Sequence, residues 1–162
     1  FSGLYSTYIR RFRPEAEVFQ TACPLFVPLV EEGMTDDPVT RQMIHRYIDG
    51  MIADNDIDTL ILGCTHYPLL LSTIAKEIQG HRAGRPVREG EGGRISLVNP
   101  AYETAVELKN MLRQLDLLNE RTEAVTPDEH RYYVSDDARN FSKFAEEVLG
   151  IEARNVELKV LE

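Results

Sequence analysis

Asp58-Thr59-Leu60-Ile61-Leu62-Gly63-Cys64-Thr65-His66-Tyr67-Pro68 is the most telling stretch of this 162-residue chain. Asp58 to Gly63 is a short apolar run, which fits a strand buried on both faces. Pro68 suits the first turn of a helix, predicted here to run through Ile78. In open parallel sheets, ligands bind beyond the carboxyl ends of the strands, and Cys64 falls at such an end. Unpaired N–H groups at a helix start favour negative charge, so they would lower the pKa of the Cys64 thiol and could grip a substrate carboxylate. Thr65 adds a hydroxyl and His66 a ring that titrates near neutral pH. Together the three residues read as an acid/base centre for an anionic substrate. Two other readings stay open: a small buried core residue, since free cysteine is among the most buried types, and a thiol nucleophile of the kind found in thiol hydrolases.

Outward from this stretch, helices and strands alternate. Leu4, Tyr5, Tyr8, Ile9 and Phe12 recur at helical spacing ahead of Pro14, and Glu17 to Ala22 reads as a short strand. Pro24 and Pro28 predict a loop with at most one helical turn up to Gly33. Thr35-Asp36-Asp37-Pro38 is a helix start, followed by apolar positions Val39, Met43, Ile44, Tyr47, Ile48, Met51 and Ile52. Gly80 to Arg94 turns to Gly and Arg and reads as an exposed loop. Beyond it come a strand at Ile95–Val98, an amphipathic helix over 100–118, a strand at Arg131–Ser135, a helix at Ala138–Leu149 and a last strand at Val156–Val160. This order predicts an α/β fold with mostly parallel sheets flanked by helices.

Composition narrows the function classes. Lys and Arg total 18 against 27 Asp and Glu, a formal charge of −9, which argues against nucleic-acid binding. A hydrophobic share of 43% excludes a disordered chain and supports a packed core. No apolar run approaches the roughly 20 residues that cross a bilayer, and no charged-then-apolar leader marks the chain for export. Two cysteines, Cys23 and Cys64, are too few for a disulfide framework. The expectation is a soluble cytoplasmic domain with reduced thiols. The chain opens at Phe1 inside an apparent helix, so it reads as a piece of a longer protein.

Several weaker signals have bland explanations. Gly90-Glu91-Gly92-Gly93-Arg94 lacks both the preceding strand and the third glycine of a dinucleotide-binding loop. Arg82, Arg85, Arg88 and Arg94 are diluted by Glu89 and Glu91, and read as a solvated insertion. His45 sits on an amphipathic helix as a boundary residue, while His81 and His130 are isolated. Asp136 and Asp137 precede a helix and read as caps. Cys64 and His66 alone fall short of the four ligands of a structural zinc site, so no metal is expected.

Leu62-Gly63-Cys64-Thr65-His66-Tyr67-Pro68-Leu69-Leu70 resembles the second cysteine motif of bacterial glutamate racemase. Ala22-Cys23-Pro24-Leu25-Phe26-Val27-Pro28-Leu29-Val30-Glu31-Glu32-Gly33 resembles the family's upstream signature. Tyr132-Tyr133-Val134-Ser135-Asp136-Asp137, followed by a helix ending at Leu149-Gly150, resembles its C-terminal segment. The three matches stand in family order and span most of the chain. His66 separates it from the related aspartate racemases, which more often carry Glu after Cys-Thr. Where the family often has an acidic residue after the third strand, this chain reads Val98-Asn99-Pro100.

The resemblance implies cofactor-independent interconversion of L- and D-glutamate, supplying D-glutamate for peptidoglycan. Two cysteines face the α-carbon from opposite sides, because inversion requires a proton delivered to the face opposite its removal. Cys64 matches the second of them. Thr65 and His66 match substrate-binding positions, His66 also assisting the cysteine, and Glu32 resembles the acid supporting that histidine, with Glu31 the lesser claimant. Cys23 resembles a packing position; the first catalytic cysteine lies in an N-terminal motif that this chain lacks. By the same resemblance, 1–80 forms part of a second α/β domain, 81–94 an inserted loop, and 95–162 elements completing a first domain whose N-terminal part is absent. Exposed remnants of that missing interface would favour a homodimer. An aspartate-specific racemase and a non-catalytic binding module are the competing readings.

Overall fold

The computed structural model describes residues 3–78, 95–119, 121 and 123–160. Helix α1 (Leu4–Phe12) is followed by an extended run to Cys23 and by a short helix, α2 (Phe26–Glu31). Helix α3 (Pro38–Asp54) starts where the sequence puts it: the Asp37 carboxylate accepts from the Val39 N–H at 2.8 Å, and Pro38 fills the first position. Its buried stripe is Thr40, Ile44, Ile48 and Ile52, one residue per helical turn. Strand β1 (Thr59–Ile61) leads through a tight turn into a 3₁₀ segment, Tyr67–Leu70, and then α4 (Leu71–Ile78). After the undescribed residues come β2 (Ser96–Val98), α5 (Pro100–Gln114), β3 (Tyr132–Val134), α6 (Ala138–Glu147) and β4 (Val156–Leu158).

The strands form two parallel pairs. β1 lies beside β2 with Thr59 opposite Ser96, and β3 beside β4 with Tyr132 opposite Val156. The predicted α/β class with parallel strands and flanking helices therefore stands. The core gathers Phe26, Val30, Ile44, Ile48, Ile52, Ile74 and Ile78 from α2, α3 and α4, with Cys23 ahead of α2, Leu62 just beyond β1 and Leu70 in the 3₁₀ segment. Phe26 is its hub, with the Tyr47 and Tyr67 rings packed edge-on at 5.4 and 5.3 Å. Phe144 and Val148 reach this core from the α6 end of the chain.

Four expectations are corrected. Glu17–Ala22 is extended but not a strand, because a strand exists only against a second backbone and this run has no backbone–backbone hydrogen bond among the described residues. β1 is half-buried at Leu60 and Ile61 and exposed at Thr59, so it is not covered on both faces along its length. The segment after Pro24 forms the six-residue α2, longer than one turn, because Pro28 falls within its first turn, where an N–H has no helical partner anyway. Helix α5 stops at Gln114, short of the predicted 118. Asp116 takes φ 56°, its N–H donates to the Arg113 carbonyl, and the Leu117 N–H donates to the Leu112 carbonyl, which closes the helix as a Schellman motif.

β2 pairs with β1, which joins Ser96–Val98 to a strand of the 1–80 stretch. The predicted 81–94 loop, with His81 and its arginines, lies outside the described residues.

Candidate active site

Cys64 stands three residues beyond the end of β1, in a turn closed by the Tyr67 N–H donating to the Cys64 carbonyl at 3.1 Å. Its thiol is free and its side chain half-buried. Gly63 precedes it with the Tyr5 ring pressed close; an added Cβ would come within 3.2 Å of that ring. Thr65 is exposed and His66 half-buried on the same turn.

His66 is held from both sides. Its Nε2 lies 3.2 Å from Glu31 Oε1, and its Nδ1 lies 3.3 Å from the Thr65 hydroxyl. An ionised carboxylate only accepts, so Nε2–H donates to Glu31, and the neutral ring then leaves Nδ1 free to accept from Thr65. The sequence reading favours Glu32 as the support of the histidine, whereas the carboxylate in contact with the ring is that of Glu31. Successive helical residues point about 100° apart, and the phase of α2 turns Glu31 towards His66, while Glu32 has already left the helix and its N–H closes back on the Pro28 carbonyl. Choosing between adjacent glutamates needs that phase, and two prolines obscure it in the sequence.

Two further contacts tie α2 to the Cys64 turn. The Tyr67 hydroxyl donates to the Cys23 carbonyl at 3.1 Å, and the Tyr67 ring packs against Phe26. Burial raises the Tyr67 pKa, with the neighbouring thiols adding to the shift. Cys23 itself is buried, and desolvation pushes its thiol up to about 11. A thiol so placed stays protonated at neutral pH, as a packing residue would. Cys23 and Cys64 nevertheless line one cavity of about 660 Å³, together with residues of α1 and the 16–22 run.

The remaining candidates lie elsewhere. Asp137, not Asp136, caps α6 by accepting from the N–H groups of Arg139 and Asn140. Asn99 caps α5 through Ala101 and Tyr102, which gives the departure at Val98-Asn99-Pro100 a structural purpose. His130 neighbours Tyr132, away from the turn. Among the described residues no three or more His, Cys, Asp or Glu side chains gather as a metal site would require, and no helix is long and apolar enough to cross a membrane. His45 proves more engaged than a boundary residue. Its Nδ1 meets the Asp49 carboxylate at 3.1 Å and its Nε2 meets Glu77 of α4 at 3.0 Å. The i, i+4 step to Asp49 is legible in the sequence; the reach to Glu77 depends on how α3 and α4 pack.

No family model matches the chain. It is 39% identical over 149 residues to a glutamate racemase of Geobacter metallireducens, covering 92% of this chain and 49% of that protein. A glutamate racemase of Neisseria meningitidis serogroup A is 39% identical over 157 residues, covering 97% of this chain and 52% of that protein. Among solved structures, the Francisella tularensis glutamate racemase in complex with D-glutamate superposes with a TM-score of 0.77 at 28% identity, over 98% of this chain and 52% of that one. The Thermus thermophilus enzyme in complex with β-chloro-D-alanine gives 0.73 at 33%, over 99% and 52%. The chain spans about half the length of the curated relatives it matches. It is similar, along nearly its whole length, to a C-terminal portion of glutamate racemase, as its motifs predict.

Proposed function

We propose that this chain is the Cys64-bearing portion of a cofactor-independent, two-base glutamate racemase. The observation that carries the reading is the Cys64-Thr65-His66 turn at the end of β1 with His66 fixed by Glu31, in a chain so extensively similar to glutamate racemases. Cys64 acts as one proton-transfer group at the substrate α-carbon: as thiolate it removes the proton, as thiol it returns one. His66 exchanges the proton with Cys64 and contributes with Thr65 to substrate binding. Glu31 is a positioning residue that fixes the ring tautomer and orientation, the role the motif resemblance gives to Glu32. Cys23 takes no part, because its buried thiol is held protonated. The opposite-face cysteine belongs to a part of the enzyme outside this chain, in an arrangement of two similar α/β domains around one cleft. The product, D-glutamate, serves peptidoglycan synthesis in the cytoplasm, and a homodimer is the proposed assembly of the whole enzyme.

The test is proton NMR of the chain with L-glutamate in D₂O, followed by chiral analysis. The chain alone is expected to give neither α-deuteration nor D-glutamate. Mixing it with the separately produced N-terminal portion should restore both, and Cys64→Ser should abolish the restored activity. Inversion by the unassisted chain would overturn the assignment of Cys23 as a packing residue. In the restored enzyme, Glu31→Gln should lower kcat and shift its pH profile, whereas Glu32→Gln should leave both near the parent values. The opposite result would return the supporting role to Glu32.

A further inference from the structure

Among the described residues, Thr40 of α3 and Thr73 of α4 are the polar side chains shut off from solvent. Each shares its helix with buried isoleucines, where valine would fill the same volume with no polar atom to desolvate. A helical threonine commonly bonds the carbonyl three or four residues back in its own helix. Here both hydroxyls reach outside their helices: Thr40 donates to the Met34 carbonyl, and Thr73 to the Thr35 carbonyl at 2.7 Å. Neither carbonyl accepts a backbone N–H among the described residues, so the hydroxyls are their partners within the protein. Met34 and Thr35 are the residues on which α2 ends. Gly33 takes φ 72°, its N–H donates to the Val30 carbonyl, and the Met34 N–H donates to the Leu29 carbonyl, which closes α2 as a Schellman motif.

We infer that Thr40 and Thr73 are positioning residues of the proton-transfer site, which lock the end of α2 to α3 and α4 and so hold Glu31 on the His66 ring. The role rests on the functional reading above and extends it to two residues outside the Cys64 turn. A six-residue helix is too short to keep its place unaided. Phe26 and Val30 bury one side of α2, and Glu31 follows Val30 by about 100° round the axis, at the border of that side. Contact with His66 therefore depends on how far α2 is rotated. Helix α4 continues directly from the 3₁₀ segment behind His66, so the Thr73 bond ties the helix of Glu31 to the element that carries the ring. The chain from His66 to Thr73, the bond to Thr35, the chain back to Glu31 and the bond to His66 form one closed loop. Thr40 braces that loop from α3.

The first measurement is NMR of the full chain labelled with ¹⁵N in its histidine rings, following exchange with water of the Nε2–H that His66 donates to Glu31. Glu31→Ala, which removes the acceptor, sets the upper limit of that exchange. Thr40→Val and Thr73→Val should each quicken it roughly two- to tenfold, as the loss of one hydrogen bond would. Thr73→Ser, which keeps the hydroxyl, should return it to the parent rate, and the amides of Ile44, Ile48 and Ile52 should keep theirs throughout. Ring exchange unchanged in both valine variants would overturn the proposal. Quickening shared by those α3 amides would also overturn it, by assigning the hydroxyls to general stability. In the enzyme restored with its N-terminal portion, Thr73→Val should lower kcat roughly two- to tenfold and displace the pH profile in the same direction as Glu31→Gln. On a Glu31→Gln background it should do neither, because both changes act on one contact. Independent, additive losses would overturn the positioning role. If the mixture forms no D-glutamate, the racemase reading falls while the ring exchange still decides for or against the threonines.

Discussion

The two ends of the chain use the same ingredients and reach different states. In the first half, α2, α3, α4 and the 3₁₀ segment bring apolar faces together, and Phe26, Val30, Ile44, Leu70 and Ile74 lose essentially all contact with solvent. In the second half, α5 has an equally good cap and a long helical span, yet no residue of it is buried; Tyr102 is 65% and Leu108 52% exposed. Among the described residues there, only Ala145 of α6 is fully covered. Helix propensity and capping are local and need no neighbour, whereas burial requires a second surface. The first half carries its own second surface. The second lends Phe144 and Val148 to that same core, while the apolar side chains of α5 stay exposed.

Core truncation should separate the halves most sharply. Ile74→Ala removes a fully buried side chain between α3 and α4, and should cost about 2–5 kcal/mol of global stability. Leu108→Ala on α5 should cost no more than about 0.5 kcal/mol, as for an exposed site. Urea midpoints of the two variants measure the contrast. A loss at Leu108 comparable to that at Ile74 would show that the α5 face is already covered in solution.

What the sequence disclosed follows the same division between local and non-local physics. The α3 start was readable because Asp37-Pro38 carries its own cap, and the Cys64 turn because Gly, Pro and a buried strand mark it. The end of α5 was not readable, since Asp116 adopts a left-handed conformation usually given to glycine. Glu17–Ala22 has the composition of a strand, but strand formation belongs to the pair, and its partner is missing among the described residues. At the site, Cys64, Thr65 and His66 were visible as neighbours in sequence. The contact between Glu31 and His66 is not legible there, because it depends on the rotation of a short helix thirty-five residues from the ring.

Capping lesions sharpen the comparison at an intermediate size. Asp37→Ala removes the cap of a helix locked into the core, so about 1 kcal/mol should be lost from the global midpoint. Asn99→Ala makes the same change on α5, whose ends can fray independently. There the midpoint should hold, while circular dichroism records lost helicity and exchange quickens at Ala101 and Tyr102.

The smallest expected effect tests whether the packed half owes anything to charge. The carboxylates of Asp49 and, less strongly, Glu77 raise the His45 pKa, against a partial opposing effect of desolvation. A pKa raised in the folded state means that the bridge contributes fully below the unfolded value of about 6.5 and is lost as pH rises through the folded value. The His45 side chain is 42% exposed, so solvent screening limits the contribution to about 0.2–1 kcal/mol. Arg41 lies 3.8 Å from Glu77 and shares that carboxylate with His45, which trims the effect further, while Arg41 and Lys76 also pair with Asp36. The difference in urea midpoint between the parent and His45→Gln should therefore be larger at pH 5.5 than at pH 8.5. A difference independent of pH would assign the contribution of His45 to packing between α3 and α4, and the stability of this half to apolar burial alone.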